Sequence, residues 1–154
     1  MTPHCPLANG PAMLDIRPVG YVIGLLVAAL GVTMLAPLLS DLIAGNDQWP
    51  VFLEAAALTI VSGGLTALAC SNGVSEGLSI RQTFLLTVLV WVALPIFGAL
   101  PFILGKPQLS FTDAFFEAMS GLTTTGATVI TGIELLPEGL QLWRGILQWL
   151  GGIG

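Results

Sequence analysis

Charge is what this chain most lacks. Asp, Glu, Lys and Arg together make up 8% of its 154 residues, against roughly a quarter in a soluble globular domain. Basic residues are scarcest, four in all, so no patch can neutralise nucleic-acid phosphates and a nucleic-acid partner is excluded. Histidine occurs once, as His4 in a Pro-rich tail, and is assigned no function. The two cysteines, Cys5 in that tail and Cys70 at the end of an apolar segment, show no metal-site spacing and read as free thiols. No cofactor is expected.

What is abundant is apolar surface: 55% of residues are hydrophobic and the mean hydropathy is +0.91. Val19 to Leu39 is a run of 21 residues without a charge, enough for a helix of about 30 Å. The apolar core of a signal peptide would be only about 7 to 15 residues long. Trp49 to Cys70 reads as a second span, with Glu54 near enough to its start to reach the interface. Thr83 to Gly105 reads as a third, with a kink expected near Pro95. Leu140 to Gly154 is apolar but only 15 residues long, too short to cross, so the chain is expected to be truncated there. The Met1–Ala12 tail has no periodicity, and Met13 is the expected start.

Charge does not orient the chain. If the first span runs outward, Arg17 and Arg81 are cytoplasmic and Lys106 and Arg144 external, two against two. In that orientation Asp41, Asp47, Asp113, Glu134 and Glu138 lie on or near the outer side, a negative surface that would concentrate cations. A cation importer would profit from it, but any acidic loop would look the same.

The segment from Ser110 to Thr128 is neither a plain loop nor a full span. Ser110 followed by Asp113 is a capping pattern, and Phe111, Ala114, Phe115, Ala118 and Met119 recur at helical spacing. A helix over 111–120 would be about 15 Å long, half the hydrocarbon thickness. Gly121 is the expected stop, supplying a left-handed terminal conformation. The Thr-rich stretch beyond it has backbone groups that lipid does not tolerate unless they are buried in protein or line a watery cavity. Carbonyls facing such a cavity can replace the hydration shell of a cation, and a short helix pointing its negative end inward adds to the effect. Thr124, Thr125 and Gly126 form a Thr-x-Gly element of the kind found in potassium-channel filters, glycine permitting the backbone angles required. An interfacial amphipathic helix followed by an external turn fits the same periodicity, and on periodicity alone that plainer reading is favoured.

The longer string alters that balance. Phe111-Thr-Asp-Ala-Phe-Phe-Glu-Ala-Met-Ser-Gly-Leu-Thr-Thr-Thr-Gly-Ala-Thr128, followed by Leu142-Trp-Arg144 and Gln148-Trp-Leu-Gly-Gly152, resembles the first pore repeat of TrkH-type potassium transporters, in the Trk/Ktr/HKT superfamily. The resemblance covers Met13 to Gly154, with the first two spans in the place of the two helices that precede the first repeat in bacterial members. It implies an all-α integral membrane protein with a helix, a re-entrant pore loop and a second helix, the last incomplete here. The implied division is a tail over 1–18, a two-helix membrane region over 19–82 and a first pore repeat over 83–154. Within the repeat fall a transmembrane helix over 83–105, a pore helix over 111–120, the filter over 121–128 and the start of the next helix over 140–154. Carried over by position, K+ is coordinated by carbonyls of Thr124, Thr125 and Gly126, with Thr123, Glu117 and Asp113 supporting the loop. The family also implies three further repeats in the same chain, a homodimer, a cytoplasmic nucleotide-binding regulatory subunit, and a place in the bacterial inner membrane among its lipids.

Asp113 and Glu117 are four residues apart, but no second acidic helix is available to complete a catalytic dyad, and no enzyme is expected. Arg144 either pairs with Glu117 or snorkels to the outer interface, the simpler reading. Gly20 with Gly24, and the cluster of Gly151, Gly152 and Gly154, read as close helix-packing positions. Trp49, Trp91, Trp143 and Trp149 read as belt or core residues. The competing function is a small membrane subunit whose re-entrant segment only packs against partners.

Overall fold

The computed structural model describes residues 15–73 and 78–153. Cys5, His4, Met13 as a start and residues 1–14 of the expected tail lie outside them. Among the described residues every regular element is helical, and three stretches are long and apolar enough to cross a membrane: Arg17–Ala44, Trp49–Cys70 and Ile80–Leu104.

The first stretch is two helices, α1 (Arg17–Thr33) and α2 (Leu35–Ala44), separated only by Met34. At its start the Asp15 carboxylate accepts from the Arg17 amide at 3.0 Å, and Pro18 occupies the first turn, where a missing N–H costs nothing. Pro37 accounts for the interruption, because it has no N–H to offer the Thr33 carbonyl. The stretch expected to close at Leu39 runs on to Ala44 and ends at Gly45, whose φ of +69° is left-handed. Asp41 is therefore inside a helix. It is fully buried, which removes it from the acidic outer surface expected for it.

Helix α3 (Trp49–Cys70) has the limits expected from its apolar run. It packs against α1 through small residues. A Cβ on Gly24 would come within 2.7 Å of the Gly63 carbonyl oxygen, and one on Gly63 within 2.6 Å of the Ala28 amide nitrogen. Gly20 similarly accommodates the Cys70 sulfur. The two backbones touch because neither helix carries side chains there, which is how helices associate where lipid removes any hydrophobic driving force.

Helix α4 (Ile80–Gly98) opens with a reciprocal capping box between Ser79 and Gln82 and contains Pro95. It is interrupted at Ala99, one turn past Pro95 and before the short α5 (Leu100–Leu104). Pro101 is the reason, since it cannot donate to the carbonyl of Phe97. The interruption exposes the Gly98 carbonyl, which takes a hydrogen bond from the Trp143 indole at 3.0 Å.

Two further helices complete the fold, α6 (Phe111–Leu122) and α7 (Glu138–Ile153). The core where they meet the rest contains Met34, Phe52, Phe102, Ala114, Ala118, Leu140, Trp143 and Leu147. Burying each of the larger side chains contributes about 1.5–3 kcal/mol. Leu65, Leu68, Phe84 and Val88 instead face outward, an apolar periphery suited to lipid.

Candidate ion-coordinating segment

Helix α6 is started by Ser110, whose Oγ accepts from the Asp113 amide at 3.2 Å and donates to Asp113 Oδ2 at 2.8 Å. Asp113 thus neutralises the first turn and bonds to nothing near the Thr-rich stretch among the described residues. The helix ends at Leu122, one residue past the expected stop. Gly121 is helical and buried, so its role is not the left-handed terminus expected of it: a Cβ there would lie 2.8 Å from Leu147 Cβ, and its absence lets α7 approach. The left-handed residue is Thr124, at φ +57°, followed by Gly126 at φ +74°.

From Thr123 onward the backbone turns its donors back and leaves its acceptors free. The Thr123 amide bonds to the Met119 carbonyl (2.8 Å), Thr124 to Gly121 (2.9 Å), and Thr125 and Gly126 both to Ser120 (3.0 and 3.3 Å). Among the described residues no donor reaches the carbonyls of Thr123, Thr124, Thr125 or Gly126, and all four residues are exposed. The threonine hydroxyls do not compete for the carbonyls: Thr123 Oγ1 donates to Met119 O at 2.8 Å and sits 2.8 Å from Thr125 Oγ1. The C-terminal end of α6, with its partial negative charge, lies directly behind them.

The stretch is also held from behind. Ser120 Oγ donates to Ala127 O at 2.6 Å. Glu117, 2% exposed, accepts from Thr128 Oγ1 at 2.5 Å and from the Val129 amide at 2.7 Å through one carboxylate oxygen. Its other oxygen lies 3.3 Å from Arg144 Nε, close enough for an ion pair although not aligned as a hydrogen bond. Arg144 therefore does not snorkel; it reaches inward from α7. Gln148 lies beside Gly126, and Gly151 sits against the Leu122 carbonyl so tightly that no Cβ fits.

The TrkH cation transport protein family matches over residues 48–154. The chain belongs to the TrkH family. It is 44% identical over 142 residues to the Trk system potassium uptake protein TrkH of Halomonas elongata, covering 92% of this chain and 29% of that protein. It is 40% identical over 143 residues to the TrkH of Escherichia coli K12, with the same two coverages. The crystal structure of the potassium transporter TrkH from Vibrio parahaemolyticus superimposes with a TM-score of 0.85 at 40% identity, covering 92% of this chain and 30% of that one. The chain thus spans about 29% of the length of the curated relatives it matches. Membership in the TrkH family, with three apolar helices long enough to span, makes it an integral multi-pass membrane protein.

Within this chain Thr123 to Gly126 fold back on the C-terminal end of α6, Glu117 is tied to the next residues, Thr128 and Val129, and Asp113 lies at the far end of α6. Sequence reasoning missed Ser120, Thr128 and the Val129 amide. A signal for Ser120 and Glu117 was available, since three residues apart they share one face of α6. None existed for Val129, whose contribution is a backbone N–H.

Proposed function

We propose that this chain provides one of four filter segments of a potassium-uptake pore, the carbonyls of Thr124, Thr125 and Gly126 replacing the hydration shell of K+. The observation that carries this reading is the polarity of the backbone from Thr123 to Gly126. Its amides are consumed by the end of α6 while its carbonyls stay unpaired and exposed. A packing segment would bury such carbonyls against donors, whereas these four residues are exposed. The names of its relatives as potassium uptake proteins support the choice of ion. No covalent chemistry is required, the selectivity being set by backbone dipoles.

In this reading residues 1–18 are a tail, 19–82 a two-helix membrane region and 83–154 the first pore repeat, with 111–120 as pore helix and 121–128 as filter. Thr123 and Glu117 keep the filter in place, and Asp113 supports it indirectly by starting the pore helix. Three more repeats of the full-length protein complete the ring, in the bacterial inner membrane and among its lipids. The assembly is a homodimer served by a cytoplasmic nucleotide-binding regulatory subunit.

The test is rubidium uptake by the full-length protein in cells lacking their own potassium-uptake systems, with and without competing sodium. At φ +74° a side chain on Gly126 is strained by about 1–2 kcal/mol, so Gly126→Ser should reach the membrane yet lose discrimination against sodium. A mutant as selective as the wild type would refute the assignment.

A further inference from the structure

Helix α7 begins without a cap of its own. The Leu140 and Gln141 amides bond to the Pro137 carbonyl at 3.0 and 3.1 Å, which makes Pro137 the residue at the helix entrance. Proline carries no side-chain acceptor for the free amides of the first turn. The acceptor comes instead from 98 residues earlier: Asp41 Oδ1 takes the Gly139 N–H at 2.8 Å. Asp41 is completely buried, and its Oδ2 has no hydrogen-bond partner among the described residues. Both oxygens press on the first turn of α7, since a Cβ at Gly139 would collide with either. Asn46 steadies the carboxylate from its own side, Nδ2 donating to Oδ1 at 3.3 Å and its amide donating to the Asp41 carbonyl at 2.9 Å. A buried carboxylate with one oxygen unpaired is costly, and what offsets the cost here is the positive end of α7.

From that anchor α7 backs the Thr-rich stretch at three successive heights. Arg144 pairs with Glu117, which holds Thr128 and Val129; Gln148 lies beside Gly126; Gly151 bears on the Leu122 carbonyl. A helix packed through a glycine against a carbonyl and through an arginine against a carboxylate cannot slide without disturbing both. Its axial position matters, and the residue that fastens its free end is Asp41.

We infer that Asp41 is a positioning residue for the ion-coordinating segment: by tying α2 to the first turn of α7, it sets the height at which α7 presents Arg144, Gln148 and Gly151. The two N-terminal spans thereby take part in selectivity without touching the ion. This rests on the reading of Thr124 to Gly126 as the coordinating residues.

The experiment is the same rubidium uptake by the full-length protein, with sodium competition and membrane abundance measured together. Asp41→Asn keeps the shape and one acceptor but removes the charge facing the helix end. Sodium should then compete about threefold to tenfold better, as expected if part of a charge-assisted hydrogen bond is passed to the segment. The second variant is Asp41→Ala with Pro137→Ser, which returns a local cap to α7 without the tie to α2. It should restore abundance but not discrimination. Recovery of both would show that capping alone is needed, and overturn the inference. So would wild-type discrimination in Asp41→Asn, or loss of protein from the membrane in both variants, which would assign Asp41 to folding alone. If Gly126→Ser loses discrimination while Asp41→Asn keeps it, only the positioning role falls. If both keep it, the coordinating assignment itself has failed.

Discussion

Replacing Glu117 with glutamine should loosen the Thr-rich segment while leaving the helices in place. The substitution keeps the volume and one oxygen, so Thr128 Oγ1 and the Val129 amide still have an acceptor. What disappears is the charge. A hydrogen bond to an ionised group contributes about 1.5–3 kcal/mol, against about 0.5–1.5 for a neutral one, so each of the two bonds weakens by about 1 kcal/mol. Arg144, with only 15% of its side chain exposed, also loses its partner. Breaking a buried pair by removing one member costs about 3–5 kcal/mol, and the residual exposure of Arg144 places the present case at or below the lower end. The sum is about 3–5 kcal/mol, of which about 2 kcal/mol falls on residues 128 and 129 and the rest on Arg144. In the full-length protein the expected result is near-normal membrane abundance with a marked loss of sodium discrimination in rubidium uptake. A double-mutant cycle with Arg144→Gln checks the cause. Coupled residues show interaction energies of about 0.5–3 kcal/mol, so the double mutant should be less impaired than the two single effects added together. Additive effects, or a Glu117→Gln protein as selective as the wild type, would refute the reasoning.

Two further substitutions test the scaffold. Gly63→Val should destabilise the α1–α3 pair by about 1–3 kcal/mol or more, because a Cβ would already lie 2.6 Å from the Ala28 amide nitrogen; thermal unfolding of the detergent-purified protein checks it, and Gly64→Val, where a Cβ meets nothing within 4 Å, is the matched control. Trp143→Phe leaves the Gly98 carbonyl at the α4–α5 break without the indole donor, a loss of about 1–3 kcal/mol in the same assay.

Much of this architecture is legible locally. The limits of α3 coincide with its apolar run because lipid demands an uninterrupted apolar stretch and the Trp-Pro and Cys-Ser boundaries end it. The start of α6 is announced by Ser110 and Asp113, which act within three residues of each other. The prolines are less legible: Pro95 lies inside α4, whereas the interruption at Ala99 precedes Pro101 and leaves the Gly98 carbonyl to the Trp143 indole, a partner 45 residues away. Gly121 has the residue type of a helix stop, yet what requires glycine there is Leu147, a residue that no local pattern associates with it.

By itself, then, the amino-acid sequence determined that this is a helical membrane protein with three spans, a half-length helix and a Thr-rich stretch of exposed backbone, because hydropathy, capping and chain length act over a few neighbouring residues. Only the tertiary structure decided the roles of the charged groups. Asp41 looked like part of an acidic surface and is buried against α7; Arg144 looked like an interfacial anchor and is paired with Glu117. The physical reason is that a charge in a low-dielectric interior is governed by the partner it meets, and these partners come from helices distant along the chain.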